Sequence, residues 1–116
     1  MGIPAIQKTR IGAYIVRQLP RGRQRFPLVL MLEPLFRCNL NCRGCGKTSH
    51  PREILQKHLS VAECITAAEE CGAPVVSIAG GEPLLHPEMP AIARELTARK
   101  KFVYLCTNGL LVKKRI

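Results

Sequence analysis

The stretch Val75-Val76-Ser77-Ile78-Ala79-Gly80-Gly81-Glu82-Pro83 decides the fold. A short apolar run stopped by two glycines and a proline suits a strand inside a sheet better than a helix. Two similar runs flank it. Leu28-Val29-Leu30-Met31-Leu32 comes before, and Phe102-Val103-Tyr104-Leu105-Cys106 comes after, closed by Thr107-Asn108-Gly109. Helical patterns lie between them. Ser60 and Glu63 have the spacing of a capping box, and Val61, Cys64, Ile65 and Ala68 repeat at helical intervals. Gly72 closes that helix and Pro74 prevents its extension. A further helix starts near Pro87 and buries Met89, Ile92, Ala93 and Leu96. The order is strand, loop, helix, strand, helix, strand. It predicts an α/β fold of parallel strands, buried on both faces and joined by right-handed crossovers. Ligands of such sheets bind at the carboxyl ends of the strands. The cysteine-bearing loop, the double glycine and Cys106–Gly109 all follow a strand, so they should share one face.

Upstream, residues 4–18 read as a helix opening with Pro4, with Ile6, Ile11, Tyr14, Ile15 and Val16 set among basic residues. Leu19–Pro27 holds two prolines, a glycine and three arginines and reads as a basic connection. The expected organisation is therefore an N-terminal helix and connection over 1–27, then the first three βα units of a larger sheet over 28–116. Three parallel strands leave an open edge. The chain is accordingly expected to be the amino-terminal part of a longer protein.

The composition bounds the chemistry. The chain has 116 residues, 47% of them hydrophobic, which supports a core and excludes global disorder. Eighteen Lys and Arg against eight Asp and Glu give a net charge of +10. Much of it is clustered at Arg21, Arg23 and Arg25, at Lys100 and Lys101, and at Lys113, Lys114 and Arg115. No apolar run approaches the roughly 20 residues of a spanning helix. Lys8, Arg10 and Arg17 stand where a secretory signal would need an apolar core. A cytoplasmic setting is expected, where six cysteines suggest metal binding or catalysis rather than disulfides.

Cys38-x-x-x-Cys42-x-x-Cys45 is the strongest chemical signal. Thiolates select zinc, copper(I) or iron–sulfur clusters. Structural zinc sites close with four ligands, and here no fourth cysteine is near. Three cysteines on a four-iron cubane leave one iron open to a substrate. The alternative is a zinc knuckle completed by His50, in a small basic module that binds nucleic acid through its arginines. No aromatic stacking surface accompanies those arginines, so no nucleic-acid partner is expected. Cys64 and Cys71, on a helix and at its end, read as core thiols.

The three cysteines after a first strand, joined to Gly80-Gly81-Glu82-Pro83 after a second, resemble the radical S-adenosylmethionine (SAM) superfamily. That resemblance implies a partial (β/α)6 barrel with a 4Fe–4S cluster on Cys38, Cys42 and Cys45. It further implies SAM at the open iron, cleaved to a 5′-deoxyadenosyl radical. Gly80 and Gly81 would let the backbone approach the ligand, Glu82 would offer an acceptor to the cofactor's ammonium, and Pro83 would stiffen the turn. Thr107 and Asn108 resemble a strand-end motif that lies near the cofactor. Gly44 stands where many members carry an aromatic residue beside the adenine.

The stretches 11–17, 33–40, 73–83 and 100–108 together resemble the amino-terminal third of the adenosyl-hopene transferases of hopanoid synthesis. This implies addition of the radical to the terminal alkene of hopene, giving adenosylhopane. It also implies an electron donor such as flavodoxin or ferredoxin. The tertiary radical left by that addition needs a hydrogen atom. Cys106, at the end of the third strand, is the candidate donor, its alternative being a small buried hydrophobe. With a lipid substrate, the basic first helix and Arg21, Arg23 and Arg25 fit peripheral contact with the inner membrane face. They equally fit a helix packed on the barrel with a solvated basic face.

Overall fold

The computed structural model describes residues 2–115. Three strands, β1 (Val29–Leu32), β2 (Val75–Ile78) and β3 (Phe102–Leu105), pair in parallel in the order β1-β2-β3. Their register aligns Met31 with Ser77 and Tyr104, and Leu32 with Ile78 and Leu105. The helices are α1 (Ala5–Gln18), α2 (Arg52–Leu55), α3 (Val61–Cys71), α4 (Met89–Ala98) and α5 (Val112–Arg115). Short 3-10 turns occupy Leu19–Arg21 and Pro83–Leu85. The element order and the parallel sheet are those the sequence predicts, and they match the start of a βα barrel.

The period-two alternation of the strands sorts their side chains into two faces. Leu32, Val76 and Ile78 lie on one face, joined by Leu30, Val103 and Leu105. α3 and α4 cover that face with Cys64, Ile65, Ala68, Met89, Ile92 and Leu96. The opposite face differs from expectation. Val29, Met31 and Tyr104 are 50%, 61% and 46% exposed there. The strands are apolar on both sides, but both crossover helices pack on one side only. The other side is left uncovered by these helices.

α1 reaches that surface at its β3 side. Gln7 Nε2 donates to the Tyr104 hydroxyl, and the Arg10 guanidinium stands 5.8 Å from the Phe102 ring centroid. Tyr14 donates to Pro27 O at 2.8 Å and meets Phe26 edge-on. Pro4 caps the helix from outside its first turn, with its carbonyl accepting from Gln7 and Lys8 N–H. The residues that α1 buries are Gln7 and Gln18, whereas Ile6 and Val16 face outward.

Helix ends follow the local chemistry. Ser60 N and Oγ both donate to Glu63 Oε2, and Glu63 N donates back to Ser60 Oγ at 3.2 Å. These bonds hold the Glu63 carboxyl below the usual carboxylate range. Gly72 closes α3 at φ 70°, a conformation open to glycine at little cost. Cys64 is fully buried, and burial pushes its thiol up from 9.0 to about 11. Cys71 is half-buried. Both therefore sit in structural positions.

α4 starts at Met89, two residues later than Pro87, with Glu88 at its N-cap. His86 Nδ1 accepts from Glu88 N at 3.1 Å, which leaves Nε2 to donate to Leu59 O at 2.8 Å. Among the described residues no helix is long and apolar enough to cross a membrane.

Candidate functional site

The loop after β1 is folded by its own contacts before it reaches its cysteines. Residues 33–58 show no period in sequence, yet they hold α2 and an antiparallel bridge between Leu35 and His58. Leu59 N donates to Pro34 O at 2.8 Å, drawing the end of the loop back to its start. The Phe36 ring lies 4.7 Å from the His50 ring, and Lys47 pairs with Glu33. Cys45 N donates to Cys42 O at 3.1 Å, so the second and third cysteines share one tight turn. Gly44 sits in that turn at φ 81°. An aromatic side chain there would be strained, which gives a backbone reason for the glycine.

The end of β2 holds this loop in place. Gly81 N donates to Leu35 O at 3.0 Å, and Glu82 N donates to Arg37 O at 2.9 Å. A Cβ on Gly80 would overlap Leu35 O, and one on Gly81 would overlap Phe36 O and Arg37 O. Each falls inside the 3.0 Å that Cβ atoms keep. The two glycines are thus required by the cysteine loop's own backbone. The expected approach of a ligand to the same glycines is a separate role, beside this one.

Glu82 likewise has a role within the protein. Its side chain is fully buried. Oε1 accepts from Leu84 N at 3.0 Å and from Thr107 Oγ1 at 2.7 Å, and Oε2 accepts from Asn108 N at 2.9 Å. Through these three donors it ties the end of β2 to the end of β3. Pro83, also buried, opens the 3-10 turn that follows. Thr107 and Asn108 act first as partners of Glu82.

The cysteines themselves remain accessible. Cys42 and Cys45 are exposed, Cys38 is half-buried, and all three are free thiols. Leu40 N donates to Cys38 Sγ at 3.4 Å. Cys106 is exposed just past β3, on the open face of the sheet, with Sγ 3.4 Å from Ser77 Oγ. It is not the buried hydrophobe of the alternative reading. Ser77 and Asn39 escaped the sequence reading. Strand alternation counted from Cys106 would have found Ser77, but nothing local marks Asn39.

The comparisons agree with this geometry. The profile of the radical SAM superfamily matches residues 32–116. The chain belongs to the radical SAM superfamily. It is 32% identical over 97 residues to GTP 3′,8-cyclase 1 of Mycobacterium tuberculosis, covering 75% of this chain and 27% of that protein. A probable GTP 3′,8-cyclase of Methanococcus aeolicus is 35% identical over 83 residues, covering 66% and 28%. The GTP 3′,8-cyclase of Chlorobaculum tepidum is 32% identical over 82 residues, covering 68% and 25%. The chain thus spans about a quarter of the length of these relatives. No solved structure matches it.

Family membership brings a 4Fe–4S cluster and SAM, and the donor set fits them. Three soft thiols stand free on one anchored loop. The His50 ring that a zinc knuckle would use is packed against Phe36.

Gly81→Ala tests the closure of the loop. The new methyl overpacks against two carbonyls, at a cost of about 1–3 kcal/mol. After anaerobic reconstitution of the intact protein, iron and sulfide retention should fall roughly tenfold or more. Gly46→Ala meets nothing within 4 Å and should retain both. Equal retention in the two variants would contradict this account of the glycines.

Proposed function

We propose that the intact protein is a radical SAM enzyme that adds the 5′-deoxyadenosyl group to the terminal alkene of hopene, giving adenosylhopane. The observation that carries this reading is Cys106, an exposed thiol past β3 on the open sheet face that also carries Met31 and Tyr104. When bound, the cluster and SAM supply the adenosyl radical. Cys38, Cys42 and Cys45 hold the cluster. The Gly80–Pro83 turn, with Thr107 and Asn108, shapes the edge against which SAM sits. The apolar open face takes the hydrocarbon.

Addition forms one carbon–carbon bond and leaves a tertiary alkyl radical on the substrate. Transfer from Cys106 breaks an S–H bond and forms a stronger C–H bond, so the step is downhill. The resulting thiyl radical is restored by one electron and one proton. The electron comes from a donor of the flavodoxin or ferredoxin class.

A second reading rests on the relatives, whose printed activity is GTP 3′,8-cyclisation. Intact, reconstituted protein supplied with SAM, reductant and either hopene or GTP separates the two. Adenosylhopane is the expected product. Cys106→Ala should lower its yield at least tenfold, on the scale of losing a positioned proton or hydrogen donor. Product from GTP alone would overturn the hopene reading. Unchanged yield and stereochemistry in Cys106→Ala would remove the thiol from it.

A lipid substrate also suits α1. Ile6, Val16 and Leu19 are 59%, 61% and 70% exposed, among Arg10, Arg17 and Arg21. Such a face favours an anionic leaflet. The intact protein should co-sediment with anionic liposomes at low salt and be released at high salt. Sedimentation independent of lipid charge would contradict membrane docking by α1.

A further inference from the structure

We propose that Asn39 and Asn108 form a latch that holds the Cys38 limb of the loop in its cluster-binding position. Neither residue needs to touch the cluster for this, so both are positioning residues. The proposal rests on the cluster assignment, which the iron content of the unmutated protein tests separately.

Asn108 Nδ2 donates to Asn39 Oδ1 at 2.8 Å, across 69 positions of sequence. Among the described residues this is the one hydrogen bond running directly from the cysteine loop to the segment after β3. Asn108 is fixed on its other sides. Its Oδ1 accepts from Leu110 N at 3.1 Å, so the amide can present only its NH2 group to Asn39. Its backbone N–H donates to the buried Glu82 carboxyl at 2.9 Å. The donor is therefore anchored to the same carboxyl that organises the end of β2.

The acceptor sits next to the sulfur. Cys38 Sγ lies 3.9 Å from Asn39 Oδ1, and Leu40 N donates to that sulfur at 3.4 Å. The turn Cys38–Leu40 is thus built around the first ligand, with Asn39 as its outward hook. Backbone bonds from Gly81 and Glu82 hold residues 35–37, but they stop one residue short of Cys38. The Asn39–Asn108 bond is what carries the restraint past it. Hydrogen bonds and solvent access around ligating sulfurs set cluster potentials. A loosened turn should therefore change the potential as well as the retention of iron.

The test uses the intact, anaerobically reconstituted protein. Iron release to a chelator, the midpoint potential of the cluster and the thermal unfolding midpoint are measured for Asn39→Ala, Asn108→Ala and the double variant. Each single variant should release iron about fivefold faster, the factor that one modest hydrogen bond is worth, and should shift the potential. The double variant should release it no faster than the worse single, because both remove one bond. Asn39→Asp keeps the acceptor and should release iron at the unmutated rate. The proposal is overturned by unmutated rates in either alanine variant, or by effects that multiply in the double. Release from Asn39→Asp as fast as from Asn39→Ala would overturn it too.

Discussion

Leu35 O, Phe36 O and Arg37 O lie where Cβ atoms of Gly80 and Gly81 would stand. This close approach lets the cysteine loop fold down on the end of β2 and hydrogen-bond to it through Gly81 N and Glu82 N. Below the contact lies the Glu82 side chain, wholly buried and met by three donors from Leu84, Thr107 and Asn108. Burying such a group is costly unless its hydrogen bonds are made. The ends of β2 and β3 are therefore committed to one arrangement, and the loop after β1 follows them.

The remaining features take their places from that unit. α3 and α4 seal one face of the sheet with an aliphatic core. The other face stays open, and on it Met31, Ser77, Tyr104 and Cys106 approach the cysteine-bearing end. The proposed hydrogen donation places Cys106 on this open surface, with Ser77 as its neighbour. Membership of the radical SAM superfamily supplies the cluster and the cofactor.

Much of the fold was legible because its signals are local. Ser60 and Glu63 announce the start of α3, Gly72 its end, and three apolar runs the three strands. The cysteine pattern that marks the family was legible by spacing. The exposure of Val29 and Met31 was not, because an apolar side chain in a parallel strand reads the same facing a helix or a ligand cavity. The roles of Gly80, Gly81 and Glu82 within the protein itself were hidden for a related reason. Sequence shows that a close approach occurs there, but not which atoms approach. Asn39 was invisible because its partner lies 69 positions away. α2 and the Leu35–His58 bridge were too short to leave a period.

The central claim is that Cys38, Cys42 and Cys45 hold a cluster with one iron open to SAM. Electron paramagnetic resonance of the reduced, intact protein, recorded with and without SAM, tests it most directly. A four-iron signal that shifts when SAM is added is the predicted result. A four-iron signal that SAM leaves unchanged would contradict the open iron. A colourless, signal-free protein holding zinc would contradict the cluster itself.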